Sequence, residues 1–216
     1  DGTFESVCCV AEGNQDVLYV VVKRTIDGTD VRYIERLSVT EFDQPEDAFF
    51  VDCGLTYSGS PATTISGLWH LEGETVSILG DGAVFPQQVV TNGQITLSVA
   101  CSKVHVGLPI EADFETLPLG LDGAPAQGSG YVKNVTKVHM RVYRSSGIWA
   151  GPSFTKLVEF KQRTTEPYGS PPDLRTGEIS IPITTTWSTD GTVCVRQSDP
   201  LPLTIQSIAM EVSVGG

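Results

Sequence analysis

Gly67-Leu-Trp-His-Leu-Glu-Gly-Glu-Thr-Val-Ser-Ile-Leu-Gly-Asp-Gly-Ala-Val-Phe-Pro-Gln-Gln-Val-Val-Thr-Asn-Gly-Gln-Ile-Thr-Leu97 is the stretch whose reading decides the fold. Three short alternating runs are separated here by Asp81-Gly82 and Asn92-Gly93. Both dipeptides tolerate the positive φ that a two-residue hairpin turn demands and that Val, Ile or Leu resists. Val76, Ile78, Val89, Ile95 and Leu97 recur at the period of two that puts one row of side chains on one face. Gly73 stands where a strand could bend or another backbone approach closely. The stretch predicts a compact meander with no visible place for catalysis.

Composition bounds what surrounds it. A chain of 216 residues has room for one large or two modest domains. A hydrophobic content of 40% and a mean hydropathy near zero are those of a globular protein. No apolar run approaches the ~18 residues of a membrane helix, and no basic-then-apolar start reads as a signal peptide. The chain opens on Asp1 and reaches strand-like sequence by Phe4, so a longer protein extending on the N-terminal side is expected. The net charge of −12, from 26 acidic and 14 basic residues, argues against sequence-specific nucleic-acid binding, which needs a basic face. The five cysteines lack metal-ligand spacing. Cys8 and Cys9 are adjacent and point to opposite faces of a strand, whereas Cys53, Cys101 and Cys194 read as small core residues. Free thiols suit a reducing compartment, and an oxidised pair stays open.

Along the chain, residues 4–37 read as a three-stranded meander over Phe4–Val10, Val17–Arg24 and Val31–Leu37, turning at Glu12-Gly13-Asn14 and Asp27-Gly28. Val31, Tyr33, Glu35 and Leu37 share a face, and the apolar run Val17–Val22 predicts a central strand covered on both sides. The expected domains are a meander at 1–48 belonging to an upstream, propeller-like domain and a small barrel-like module at 49–110. A loop or hinge at 111–130 follows, dense in Gly and Pro, and then a β-sandwich-like unit at 131–216. In that last unit Val138, Met140 and Val142, then Ile179, Ile181 and Ile183, then Ile208, Met210, Val212 and Val214 alternate as strand faces. Residues 131–145 are the only fair helix alternative. The fold class read from the sequence is all-β.

Several of these residues together resemble a known family. Leu71-x-Gly73-x-x-Val76-x-Ile78-x-x-Asp81-Gly82, then Pro86, Val89 and Asn92-Gly93-x-Ile95, is similar to a phage tail module. That module is often labelled by similarity to a half-domain of ubiquitin-activating enzymes. Asp1–Val7, Asp16–Val22, Arg32–Arg36, Val104–Pro109, Arg141–Ser146, Arg163–Pro167 and Cys194–Pro202 continue the likeness over essentially the whole chain. The family is the tail-nozzle group of short-tailed bacteriophages, tail tubular protein B or stabilisation protein, matched to its C-terminal part. The resemblance implies a virion structural protein of the phage tail, synthesised and assembled in the host cytoplasm. It also implies a homo-oligomeric ring, usually of six copies, meeting other tail and adaptor proteins. DNA would be passing cargo in genome ejection, and the protein would be no enzyme, with no cofactor and no membrane partner. An acidic lumen would suit such a conduit, because each Lys or Arg contact to phosphate adds affinity.

Candidate sites divide between chemistry and contact. His70, Glu72 and Glu74 at i, i+2, i+4 could be drawn as a metal set, but with no second His nearby they read as a solvated strand face. His105 and His139 read as surface or rim residues, and carboxylate pairs such as Asp113 with Glu115, or Asp52 with Asp81, do not stand out for glycan hydrolysis. Ser146 and Ser153 lack the nucleophile elbow of a serine hydrolase. No catalytic, metal or cofactor residue is assigned. Trp69, His70, Phe85 and Trp149 are the candidate interaction surface, Trp149 because it sits in a turn-like Ser-Gly-Ile-Trp-Ala-Gly-Pro segment. The alternative to the nozzle is a carbohydrate-binding adhesin module of a phage tail, which an aromatic surface on an all-β chain would also permit.

Overall fold

The computed structural model describes residues 2–39, 41–120, 131–163, 166 and 170–215; the expected Gly-rich loop at 123–130 and parts of the Arg163–Pro167 motif lie outside them. Two compact units divide the chain at residues 110 and 111. Their described residues form only antiparallel sheets and two short 3-10 turns.

In the first unit, β1 (Thr3–Glu12), β2 (Gln15–Ile26) and β3 (Thr29–Arg36) make a three-stranded sheet with β2 in the middle. The turn into β3 is Asp27-Gly28, at φ of 45° and 71°, the left-handed pair that a two-residue turn requires. Even-numbered residues of β2 turn Val22, Arg24 and Ile26 inward, where Val31 and Tyr33 of β3 accompany them. The opposite face carries ion pairs that cross β2: Arg32 to Glu5 at 2.7 Å and Arg36 to Glu12 at 3.0 Å. Coverage of β2 on both sides is not what forms, since Leu18 is exposed and Val20 half-buried. The three strands stay an open sheet.

A four-stranded sheet follows in the order β4 (Asp52–Ser66), β7 (Gln94–Leu108), β5 (Thr75–Gly80), β6 (Ala83–Val89). Asp81-Gly82 and Asn92-Gly93 adopt positive φ as the sequence requires. Val76, Ile78, Ile95 and Leu97 enter one dry core with Ile65, Leu68, Leu71, Val104 and Val106. Val89 does not join them and is 54% exposed, because β6 shifts register between Val76 and Ile78 of its partner. β4 and β6 are both free edges, so no barrel closes among the described residues.

The second unit holds two sheets. β8 (Ala112–Glu115), β14 (Cys194–Gln197), β10 (Ile148–Gly151) and β11 (Val158–Glu159) form one. β9 (Val132–Ser145) is the axis of the other: β12 (Arg175–Pro182) and the short β13 (Trp187–Ser188) pair with it, and β15 (Ile205–Gly215) does so along nearly its whole length. Residues 131–145 are therefore strand rather than helix. Val138, Met140 and Val142 of β9 share one core with Ile148, Ala150 and Val195 of the other sheet. Ile208, Met210 and Val212 pack on that core, whereas Val214 stays exposed. The expected loop at 111–130 begins instead with strand β8, whose Asp113 takes a bidentate bond from Arg196 of β14.

Candidate interaction surface

The turn signals that shape the first unit also fix its polar groups. Trp69 and His70 lie in a 3-10 turn, Trp69–Leu71, and not on a strand, so His70, Glu72 and Glu74 do not share a face. Each of the three is used elsewhere. Glu72 accepts the main-chain N–H groups of Asn92 and Gly93 at 2.8 and 2.6 Å. Glu74 accepts that of Asp27 at 2.9 Å, and His70 Nε2 donates to the Cys53 carbonyl at 3.1 Å. Gly73 holds a φ of 78° just before β5, and what approaches it closely is the Asp27 side-chain carboxyl rather than another backbone. Among the described residues no group of three His, Cys, Asp or Glu is placed to hold a metal ion.

Beside His70 opens the main feature of this unit, a groove of about 610 Å³. Its floor is polar and its walls apolar. Glu35 and Asp52 line the floor, and beneath them Arg24 of β2, only 3% exposed, sits between the two carboxylates. It donates to both oxygens of Glu35 at 2.6 and 2.7 Å and to both of Asp52 at 2.7 Å. Hydrogen bonds to Glu35, then Asp52, hold the guanidinium well above its ordinary range against the cost of burial. Burial works to raise the Asp52 carboxyl, but Arg24 outweighs it and keeps Asp52 below the usual carboxylate range. Burial also pushes the Cys53 thiol up to about 12, so this cysteine is not an activated nucleophile. The walls are Phe4, Leu37, Val39, Phe49, Leu55 and Ile110, most of them open to solvent. A floor whose carboxylates are already held by Arg24, under that much apolar surface, suits packing of an extended apolar segment better than capture of an anion.

The four candidate residues are divided between the units, Trp69, His70 and Phe85 in the first and Trp149 in the second. Trp69 is 69% exposed and its indole lies over Gly93, where an added Cβ would come within 2.5 Å of the ring. Glycine at that turn therefore supports a flat aromatic platform. Phe85 packs half-buried against the core, and His70 reaches the groove. Trp149 belongs to the second unit, half-buried on β10 opposite Arg196 and Glu159, not on an exposed turn.

His105 is not a rim residue but a buried one. Its Nε2–H donates to the Glu46 carbonyl at 2.9 Å, which leaves Nδ1 to accept from the Thr56 hydroxyl at 2.7 Å. Burial lowers its pKa below the ordinary value for histidine. His139 lies on β9 with Glu211 at 2.9 Å and Glu178 at 3.7 Å. Cys101 and Cys194 are buried as expected, Cys53 is only half-buried, and Cys8 and Cys9 are exposed on β1. In the second unit a small cleft of about 100 Å³ is lined by Val135, Pro152, Thr186 and Asp190.

Sequence reasoning missed the Arg24 cluster. A signal for it was present, since Arg24 shares parity with Val20, Val22 and Ile26 on the strand face that turns inward. Compared with models of known protein families and with curated proteins, the chain matches none.

Proposed function

We propose that the chain is a structural part of a short phage tail, a segment of the ring-shaped nozzle through which the genome is ejected. Here it works by assembling with copies of itself and with other tail proteins, and carries out no chemistry. The observation that supports it is the groove of the first unit. Exposed Phe4, Leu37, Val39 and Leu55 converge over a fully paired ionic floor, which is the character of a contact surface rather than of a reaction site. The sequence likeness over Leu71–Ile95 supplies the identity of the assembly, and the net charge of −12 suits a wall past which DNA slides. Finer architecture belongs to the same reading: the open sheet β1–β3 as one blade of a propeller, the sheet β4–β7 as a barrel-like module, and the paired sheets of the second unit as a sandwich.

Immunogold electron microscopy with antibody to the chain, on particles of the source phage or induced prophage, tests the reading. Gold at the distal end of a short tail is the expected result. Gold on lateral fibres, or none on intact particles, overturns it.

One observation favours a second reading, the carbohydrate-binding adhesin. Trp69 presents a flat, rigidly backed indole to solvent, the geometry on which a sugar ring stacks. Binding to a host-surface glycan array that is abolished by Trp69→Ala would establish it, and an array without signal would remove it.

A further inference from the structure

The three-stranded sheet has two free edges, and their chemistry is complementary. Among the described residues no strand pairs with the outer side of β1 or of β3. The bond from Leu37 N–H to the Leu18 carbonyl sets the phase of the β2–β3 ladder. In an antiparallel pair the bonded positions alternate, so the main-chain groups of Arg32, Ile34 and Arg36 point away from β2. By the same alternation from the Glu12–Gln15 pair, those of Val7, Cys9 and Ala11 point away from β2 on the other side. The outer edge of β1 bulges between Phe4 and Ser6, and beyond that bulge it is undefended as far as Ala11. Ser6–Ala11 carries no charge and no proline, and Phe4 and Val7 are 72% and 64% exposed.

Charge decides which edge meets which. A two-fold pairing of β3 with β3 of a second copy would set Arg32 and Arg36 against Arg36 and Arg32. A two-fold pairing of β1 with β1 about Cys9 would bring Glu12 opposite Ser6 and beside Glu5 of the second copy, carboxylate near carboxylate. Like charges directly opposite destabilise a strand pair. The mixed pairing has neither fault. Arg32 and Arg36 now reach Glu5 and Glu12 of their own chain only by crossing β2, a span of two strand spacings or about 9.6 Å. An adjacent β1 from another copy would offer the same carboxylates at one spacing.

We propose that β1 of one copy adds to the outer edge of β3 of the next, head to tail, so that the three-stranded sheet continues from copy to copy. β1 and β3 both run opposite to β2, so the added strand is parallel to β3. Its Phe4, Val7 and Cys9 extend the inward row of Val31, Tyr33 and Leu37 toward the apolar walls of the groove. Its Glu5 and Glu12 fall on the face of Arg32 and Arg36. The interface is heterologous, so it closes into a ring or runs on as a filament. The inference rests on the nozzle reading only in expecting further copies of the chain, and it names the contact by which they join.

Sedimentation velocity on the 216-residue chain over a wide concentration range tests it, with the exposed-site variants Phe4→Glu and Leu37→Glu. The wild type is expected to sediment faster as concentration rises, and each variant to remain monomeric with an unchanged circular dichroism spectrum. An equimolar mixture of the two is expected to form a one-to-one dimer, because one retains an unaltered β3 edge and the other an unaltered β1. Val7→Glu serves in place of Phe4→Glu if that variant loses its fold. A monomeric wild type at every concentration, variants that assemble like the wild type, or a mixture that stays monomeric each overturns the proposal. The immunogold result is independent of all three, so the nozzle reading can stand or fall separately.

Discussion

β2 and β9 begin from the same kind of sequence and end in different surroundings. Each is the middle strand of its sheet, and each carries a run of apolar side chains: Val17–Val22 in β2, Val138, Met140 and Val142 in β9. The β9 row is fully buried because Ile148, Ala150, Val193 and Val195 complete the same core from outside its sheet. The β2 row is divided. Val22 and Ile26 are buried, while Leu18 and Val20 look out along the meander. A period of two tells which side chains share a face, and coverage depends on what another part of the chain brings to that face. On β2 polar pairing substitutes: Arg24 joins Glu35 of β3 and Asp52 of β4 in an ionic cluster, where the middle of β9 carries Val138, Met140 and Val142.

The largest expected effect tests that substitution. Arg24→Ala removes the cation that bridges Glu35 and Asp52, and breaking a buried ion pair in this way costs about 3–5 kcal/mol. Urea unfolding should show that loss in the first unit. Replacing Arg24, Glu35 and Asp52 together by apolar residues of similar volume should recover most of it, since a packed apolar cluster competes well with a buried ion pair. If Arg24→Ala is silent, the cluster is solvated and the contrast with β9 fails.

In β9 the corresponding change is Met140→Ala. Met140 is wholly buried between the two sheets, and truncation there should cost about 2–5 kcal/mol through lost transfer energy and the cavity left behind. A much smaller loss in urea unfolding would mean that the two sheets close over the gap.

Much of this contrast was legible in the sequence, and the illegible part has a common cause. Asp27-Gly28, Asp81-Gly82 and Asn92-Gly93 form their turns as read, because positive φ is a local demand that those residues meet. The alternation of Val138, Met140 and Val142 placed a strand face correctly for the same reason. Trp69–Glu74 was misread as strand because its hydrogen-bond partners, at Asp27, Cys53, Asn92 and Gly93, are far away in sequence. His105 was misplaced on the surface because Glu46 and Thr56, which satisfy its ring, lie 59 and 49 residues away. β8 was hidden by the Gly- and Pro-rich sequence that follows it, four residues being too few for alternation to show. Of the candidate surface, Trp69 was found by its type, and the groove could not be found, since segments from Phe4 to Ile110 build it.

The two units should also part company in acid. The folded pKa of His105 lies below the ~6.5 of an unfolded histidine, so the unfolded chain takes up the proton first as pH falls. Stability from this group is complete above about pH 6.5 and is lost downward through the folded value. Asp52, held low by Arg24, acts in the same direction at lower pH: its contribution is present above about pH 3.9 and lost as pH falls through its depressed value. Asp199 in the second unit has the opposite sign. Burial raises its carboxyl, helped by Glu159, so the second unit gains stability as pH falls through that raised value. Hydrogen exchange resolved by segment, between pH 8 and pH 4, should show protection falling in residues 94–108 before it falls in residues 132–145. His105→Gln should delay the first loss. Simultaneous loss in both units would remove the electrostatic distinction between them.

The smallest effect is the most discriminating. Val7→Ser on β1 replaces an exposed residue, and at a dilution that keeps copies apart it should change stability by no more than about 0.5 kcal/mol. Against Met140→Ala, that near-silence would mark β1 as a strand whose apolar face does no work within a single chain. Raising the concentration should then bring the two variants closer together. Wild-type stability would climb by mass action as copies pair, Met140→Ala would climb with it from a lower start, and Val7→Ser would climb less. A Val7→Ser penalty of the same size at every concentration would mean that its face is already covered by the chain's own residues, and the difference between β2 and β9 would be one of degree.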